Sequence, residues 1–213
     1  MTIPGLPPQV LLVGTHGDAP ESSAWPQELA VIDGLPAPRR AEYVTVRDCA
    51  RQALAGLGLP PIPILNGDRG APAWPTGIVG SMTHCRGYRV AAVARTSDVT
   101  VLGIDAEPAE ALPAGIGRRV TSDAEWSRIE VLTREDANVP WDRVLFCVKE
   151  SVYKAWYPTT RVGLDFLSVD ISLQQDGRGH IAFLRDLPME VTGLQWQLGW
   201  AIEDGIITTV VWG

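Results

Sequence analysis

Two short stretches hold the residues whose types and spacing could do chemistry. In "LGIDAEP", Leu102 to Pro108, two carboxylates, Asp105 and Glu107, stand one residue apart at the end of an apolar run. Side chains of an extended segment alternate in direction, so both acids point the same way, their Cα atoms about 6.5 Å apart, while Ala106 points the other way. Carboxylates so placed can share a hard cation such as magnesium, which takes one or two protein carboxylates and keeps water and phosphate oxygens elsewhere. They can equally be two solvated acids at a strand end. Pro108 cannot donate to a continuing ladder, which suits a strand that stops at a site.

The second stretch is "FCVKESVYKAW", Phe146 to Trp156. Glu150 and Lys154 are i and i+4 on a helix, with Lys149 one step around. One reading is an exposed ion pair. Phe146, Tyr153, Trp156 and Tyr157 crowd the segment, however, and a buried glutamate beside lysines needs partners or a task. A third group lies upstream. His84 in "SMTHC", beside Thr83 and Ser81, is either structural or completes an anion site with Arg69 and an arginine-bearing helix.

That helix is read in "APRRAEYVTVRDCARQALAGLGLPP". Tyr43, Val46, Ala50, Leu54 and Leu57 recur every three or four residues, and Gly56, Gly58, Pro60 and Pro61 stop the pattern. Arg40, Arg47 and Arg51 fall on an adjoining stripe, expected to be a solvated basic edge. Turn signals from Asn66 to Gly77 predict a loop followed by a strand. "RVAAVAR", "TSD" and "VTVLGID" then predict a hairpin. The second half repeats the plan: a helix from about Trp141 to Trp156 with Val144, Leu145, Val148, Val152 and Trp156 as its apolar stripe, then strands at 167–173 and 181–184. "LQWQLGWAI", "EDG" and "IITTVVW" predict a closing hairpin. The order of elements predicts an α+β fold of two similar subdomains, residues 1–104 and 105–213, meeting near LGIDAEP.

The totals set limits on what such a chain does. With 213 residues, 46% of them hydrophobic, it can bury a real core. A formal charge of −7 argues against general nucleic-acid binding, so any anionic ligand must be held by a local basic cluster. Cys49, Cys85 and Cys147 are odd in number, widely spaced and without a C-x-x-C pair, and are expected to be buried, reduced thiols. No run is apolar enough to span a membrane, and Met1 to Pro8 lacks the basic start and apolar core of a signal peptide. A soluble, cytoplasmic protein is expected.

"GIDAEP" followed by "LFCVKESVYKAWYP" resembles the G-x-D-x-E and W/F-x-x-K-E-x-x-x-K motifs of the 4′-phosphopantetheinyl transferases. "RRAEYVTVRDCAR", "GDRGAPAWP" and "GSMTHC" are similar to the family's upstream blocks, closest to the actinobacterial carrier-protein-activating enzymes of the surfactin-synthetase-activating type. Five blocks occur in order between Arg39 and Pro158. The resemblance implies two α/β subdomains with pseudo-twofold symmetry, each an antiparallel sheet packed with a long helix, sandwiching coenzyme A. It implies transfer of the phosphopantetheine arm to a serine of an apo acyl or peptidyl carrier protein of fatty-acid, polyketide or peptide synthases, releasing 3′,5′-ADP.

By the same resemblance, Arg39, Arg47, the loop Asn66, Gly67, Asp68 and Arg69, Thr83, His84, Asp105, Glu150 and Lys154 contact coenzyme A. Either Arg39 or Arg40 faces the ligand. Asp105, Glu107 and Glu150 hold magnesium, with manganese also acceptable to such oxygen donors. Glu150 is the implied general base; Lys154, with Lys149 nearby, steadies the departing phosphate. Ala106 supplies no ligand between the acids, and Asn66 stands where close relatives carry a lysine. Arg118, Arg119 and Trp126, in the poorly matching segment 109–140, are candidates for meeting the carrier. A monomer is expected. Two other classes remain open: a nucleotide pyrophosphohydrolase and a non-catalytic coenzyme A sensor.

Overall fold

The computed structural model describes residues 2–213, which divide into two compact units: 7–102, and 103–213 together with the first residues up to Leu6. The N-terminal unit contains β1 (Leu11–Thr15), α1 (Pro26–Ile32), α2 (Ala37–Gly56), β2 (Ile78–Cys85) and β3 (Tyr88–Arg95). Its three strands form an antiparallel sheet in the order β1-β3-β2. As the central strand, β3 is buried along nearly its whole length, and Ala91 and Val93 meet Cys49, Ala50, Ala53 and Leu54 of α2 in the core. The helix stops where the glycines fall. Gly58 takes φ 76°, its N–H donates to Ala55 O at 2.9 Å, and Leu59 N–H reaches back to Leu54 O at 3.1 Å, which closes the last turn.

The structure departs from two expectations. The strand "RVAAVAR" does not pair with "VTVLGID": β3 pairs with β2 through the turn at Arg86 and Gly87, Cys85 opposite Tyr88, and with β1, which the hydropathy pattern did not single out. The basic stripe of α2 is not a solvated edge. Arg47 and Arg51 are 4% and 7% exposed. Arg51 Nη1 donates to both oxygens of the fully buried Glu28, at 2.8 and 3.0 Å, and Glu28 also accepts from Ile64 N. A guanidinium satisfied by a carboxylate can leave water, where an unpaired one could not.

The C-terminal unit contains β4 (Leu102–Pro108), α3 (Ile116–Val120), α4 (Asp123–Glu135), α5 (Trp141–Thr160), β5 (Val169–Leu173), β6 (Arg178–Phe183), β7 (Gln197–Glu203) and β8 (Ile206–Trp212). The sheet order is β4-β8-β7-β6-β5, with β5 to β8 pairing antiparallel in succession. Asp204 and Gly205, with φ 51° and 74°, make the tight turn of the closing hairpin. Each unit thus has an antiparallel sheet and a 20-residue helix, an α+β fold. Val144, Leu145, Val148, Val152 and Trp156 of α5 are all buried, and the helix runs one turn beyond the expected end.

One close approach sets β4 against α5. A Cβ on Gly103 would lie 2.0 Å from Ser151 O and 2.6 Å from Ala155 N, so only glycine lets the α5 backbone come so near β4. The acids of β4 therefore face the helix across a short gap. The sequence pattern gave no helix between 109 and 140, although Ser122 and Glu125 spell a capping box: Ser122 Oγ accepts from Glu125 N at 3.1 Å and Glu125 Oε2 from Ser122 N at 2.8 Å.

All three cysteines are free; Cys49 and Cys147 are buried as expected, but Cys85 is partly exposed at the end of β2. Burial pushes the Cys49 thiol up to about 11 and the Cys147 thiol well above its ordinary range. Thiol titration of native protein should therefore modify Cys85 alone, with the other two reacting only in denaturant. Fast reaction of two or three thiols in the native state would contradict this packing. Among the described residues, no helix is long and apolar enough to cross a membrane.

Candidate active site

Helix α5 presents Arg143, Cys147, Glu150 and Lys154 at intervals of four, three and four, one stripe of a helical surface. Lys154 Nζ donates to Asp105 Oδ1 at 2.6 Å, and Arg143 Nη1 donates to Glu107 Oε2 at 3.0 Å. Behind the ion pair, Thr209 Oγ1 of β8 donates to Cys147 O at 3.0 Å and lies 3.4 Å from its sulfur. Asp105 is 5% exposed, while Glu107 and Glu150 are half-buried. The acids and the lysine anticipated from the two motifs do meet. Burial first, and the Asp105 charge second, raise the pKa of Glu107 and of Glu150; Arg143 and Lys154 pull the other way on Glu107, and Lys154 alone does on Glu150.

Three mutually repelling carboxylates in a partly dry site call for positive charge, and hard oxygen donors suit a divalent cation. That chemistry fits magnesium or manganese. In this arrangement Lys154 and Arg143 engage Asp105 and Glu107, and among the described residues no group of three or more His, Cys, Asp or Glu side chains is disposed to hold a metal as it stands. Arg143 was not anticipated. Its signal was available: it lies seven residues before Glu150, on the same helical face.

Lys149 goes elsewhere. Its ammonium donates to Glu125 Oε2 at 2.8 Å, Phe166 O at 2.7 Å and Val169 O at 3.2 Å, which uses all three of its protons. Burial lowers its pKa, and Glu125 opposes that shift. Glu125 Oε1 accepts from Ile171 N at 2.9 Å, so the pair ties α4, α5 and β5 together. Lys149 therefore stands as a strut and not, as anticipated, a second cation beside Lys154. Its stem and Glu150 wall a pocket of about 240 Å³ with Tyr153, Leu164, Asp165, Phe166 and Val169. Arg118, Arg119 and Trp126 lie on α3 and α4: Arg118 sits 4.6 Å over the Trp126 ring, whose Nε1 donates to Glu130 at 2.7 Å.

In the N-terminal unit a second pocket, about 180 Å³, is lined by Arg39, Tyr43, Val46, Arg47, Asn66, Gly70, Pro72, Met82, Thr83 and His84. Gly67, Asp68 and Arg69 are exposed in the adjacent loop and are not among its walls. Arg39 and not Arg40 faces it; Arg40 turns to Glu21. Arg39 lies against His84 Nε2 and donates to Glu42 Oε2 at 3.1 Å, and His84 Nε2 is 3.2 Å from that same oxygen. Glu42, one turn after Arg39 and likewise missed, lies within reach of both side chains. Arg47 donates to Ile64 O at 2.7 Å and Asn66 Oδ1 at 2.6 Å and stacks 3.2 Å above Tyr43. Burial lowers its pKa to about 10, still charged at neutral pH.

The profile of the 4′-phosphopantetheinyl transferase N-terminal domain matches residues 23–94, and that of the 4′-phosphopantetheinyl transferase superfamily matches residues 101–210. The chain belongs to the 4′-phosphopantetheinyl transferase family, enzymes that move the phosphopantetheine arm of coenzyme A to carrier proteins. Among its relatives, the 4′-phosphopantetheinyl transferase Svp of Streptomyces mobaraensis is 45% identical, over 91% of this chain and 80% of that protein. PptT of Mycobacterium tuberculosis is 40% identical over 92% of this chain and 88% of that protein, and Npt of Nocardia iowensis 41% over 88% of each.

Proposed function

We propose that this protein acts in the cytoplasm as a monomer, transferring 4′-phosphopantetheine from coenzyme A to a serine hydroxyl of an apo acyl or peptidyl carrier protein and releasing 3′,5′-ADP. The observation that supports this reading most is the meeting of Asp105, Glu107, Glu150 and Lys154 between one strand end and one helix face. In the reaction the serine Oγ forms a bond to the β-phosphorus of coenzyme A, and the bond from that phosphorus to the α-phosphate oxygen breaks. Glu150 takes the serine proton, directly or through a water. A carboxylate that also holds a metal is a weakened base, which favours the route through a water. Lys154 meets the charge that appears on the departing 3′,5′-ADP, letting go of Asp105 to do so. Asp105, Glu107 and Glu150 would hold magnesium or manganese, which supplies a Lewis acid to the pyrophosphate oxygens.

Each half carries its own part: residues 105–213 the metal ligands, the catalytic helix and the carrier contacts, with Arg118, Arg119 and Trp126 as candidates, and residues 1–104 the phosphate contacts. Arg39 and His84 take coenzyme A phosphate, which competes with Glu42 for them, while Arg47, Thr83 and the Asn66–Arg69 loop surround the nucleotide. The mainly apolar pocket beside Glu150 fits the uncharged pantetheine arm. Arg39→Ala and His84→Ala are each expected to raise the KM for coenzyme A about tenfold or more with kcat largely kept, the loss of one charge-assisted hydrogen bond to a bound phosphate. Unchanged KM in both would remove these residues from the ligand. Incubation with coenzyme A, with and without an apo carrier, tests the reaction type: release of 3′,5′-ADP should require the carrier. Equal release without it would make the protein a pyrophosphohydrolase, and binding without release a sensor.

A further inference from the structure

We propose that Arg143 is a positioning residue that presents Glu107 to the metal, an inference that rests on the reading of Glu107 as a metal ligand. Arg143 sits in the first turn of α5, where the helix dipole disfavours a cation. Its contacts account for it. Nη1 donates to Glu107 Oε2 at 3.0 Å, Nε to Glu110 O at 3.0 Å and Nη2 to Ala111 O at 3.2 Å. The neighbouring Asp142 accepts from Leu112 N at 3.1 Å through one oxygen and from Arg143 N at 2.8 Å through the other. Two consecutive helix residues thus fasten the chain just after β4. Because two backbone carbonyls hold the guanidinium in place whatever Glu107 does, the arginine is the fixed member and the carboxylate the guided one. A lysine cannot reproduce this, since an ammonium on a flexible stem lacks the planar fork that reaches three acceptors at once.

The test uses full-length protein saturated with coenzyme A, with manganese binding followed by electron paramagnetic resonance in wild type, Arg143→Gln, Arg143→Lys and Glu107→Gln. Loss of a group that orients a metal ligand typically weakens metal binding roughly 10–100-fold. Arg143→Gln should show that loss, with the metal concentration for half-maximal transfer rising in parallel and kcat largely recovered at saturating metal. Hydrogen exchange of the amides at 109–112 should quicken, and Arg143→Lys, which keeps the fold and the charge, should remain impaired. Full recovery in Arg143→Lys, or unchanged or tighter binding in Arg143→Gln while Glu107→Gln weakens it, overturns the positioning role alone. Unchanged binding in Glu107→Gln overturns the ligand reading and this proposal with it.

Discussion

Glu150→Gln is expected to lower the turnover of phosphopantetheine transfer by about 10²- to 10⁴-fold while leaving coenzyme A binding within a few-fold of wild type. The amide keeps the shape of the side chain and its place on α5, so the pocket walled by Tyr153, Leu164 and Phe166 stays intact. What it loses is the proton acceptor and one negative charge. Removing that charge also relieves repulsion with Asp105 and Glu107, the same charges that, after burial, raise the Glu150 pKa. The variant should therefore be at least as stable as wild type while nearly inactive, a combination typical of a residue kept for chemistry and not for packing. Thermal unfolding and single-turnover kinetics on the same sample check both halves. Full turnover in Glu150→Gln would move the base elsewhere.

Lys149→Met is expected to do the reverse. Lys149 and Glu125 are 2% and 1% exposed at their side chains, and removing one partner of such a buried pair typically costs about 3–5 kcal/mol, because the other charge stays buried without compensation. Glu125 would keep only its backbone donors, Ser122 N and Ile171 N. Denaturant unfolding should show the loss, and turnover per folded molecule should fall far less than in Glu150→Gln. Adding Glu125→Leu should restore part of the stability, since the orphaned carboxylate is then gone as well. A Lys149→Met protein of normal stability but without turnover would return Lys149 to the chemistry.

The contrast between these neighbours marks what the sequence could and could not tell. Both lysines of the helix motif were visible, and periodicity placed them on adjacent faces, but their destinations depend on residues far along the chain. Lys149 meets Glu125 because α4 packs there, and α4 lay in a segment whose apolar pattern was too weak to read even though Ser122 and Glu125 marked its start. Arg51 was assigned to a solvated edge for a similar reason: its partner Glu28 lies 23 residues upstream, on the seven-residue α1. The two long helices and the closing hairpin were legible, since they follow from local spacing; the meeting of the two motifs was implied by the resemblance alone, and the ion pair of Asp105 with Lys154, made possible by the close approach at Gly103, was not foreseen. Which strand β3 would join was not legible. Any apolar strand nearby could have paired with its continuously apolar run, and the two-residue turn at Arg86 and Gly87 decided for β2.

The most direct measurement is intact-mass spectrometry of purified apo acyl and peptidyl carrier proteins after incubation with this protein, coenzyme A and magnesium, beside a chelator control and the Glu150→Gln variant. The account predicts a gain of one phosphopantetheine on the carrier serine with wild type and metal, and none over the same time in either control. A gain that survives both the chelator and the loss of the Glu150 carboxylate would contradict the assignment of metal and base to the Asp105, Glu107 and Glu150 cluster.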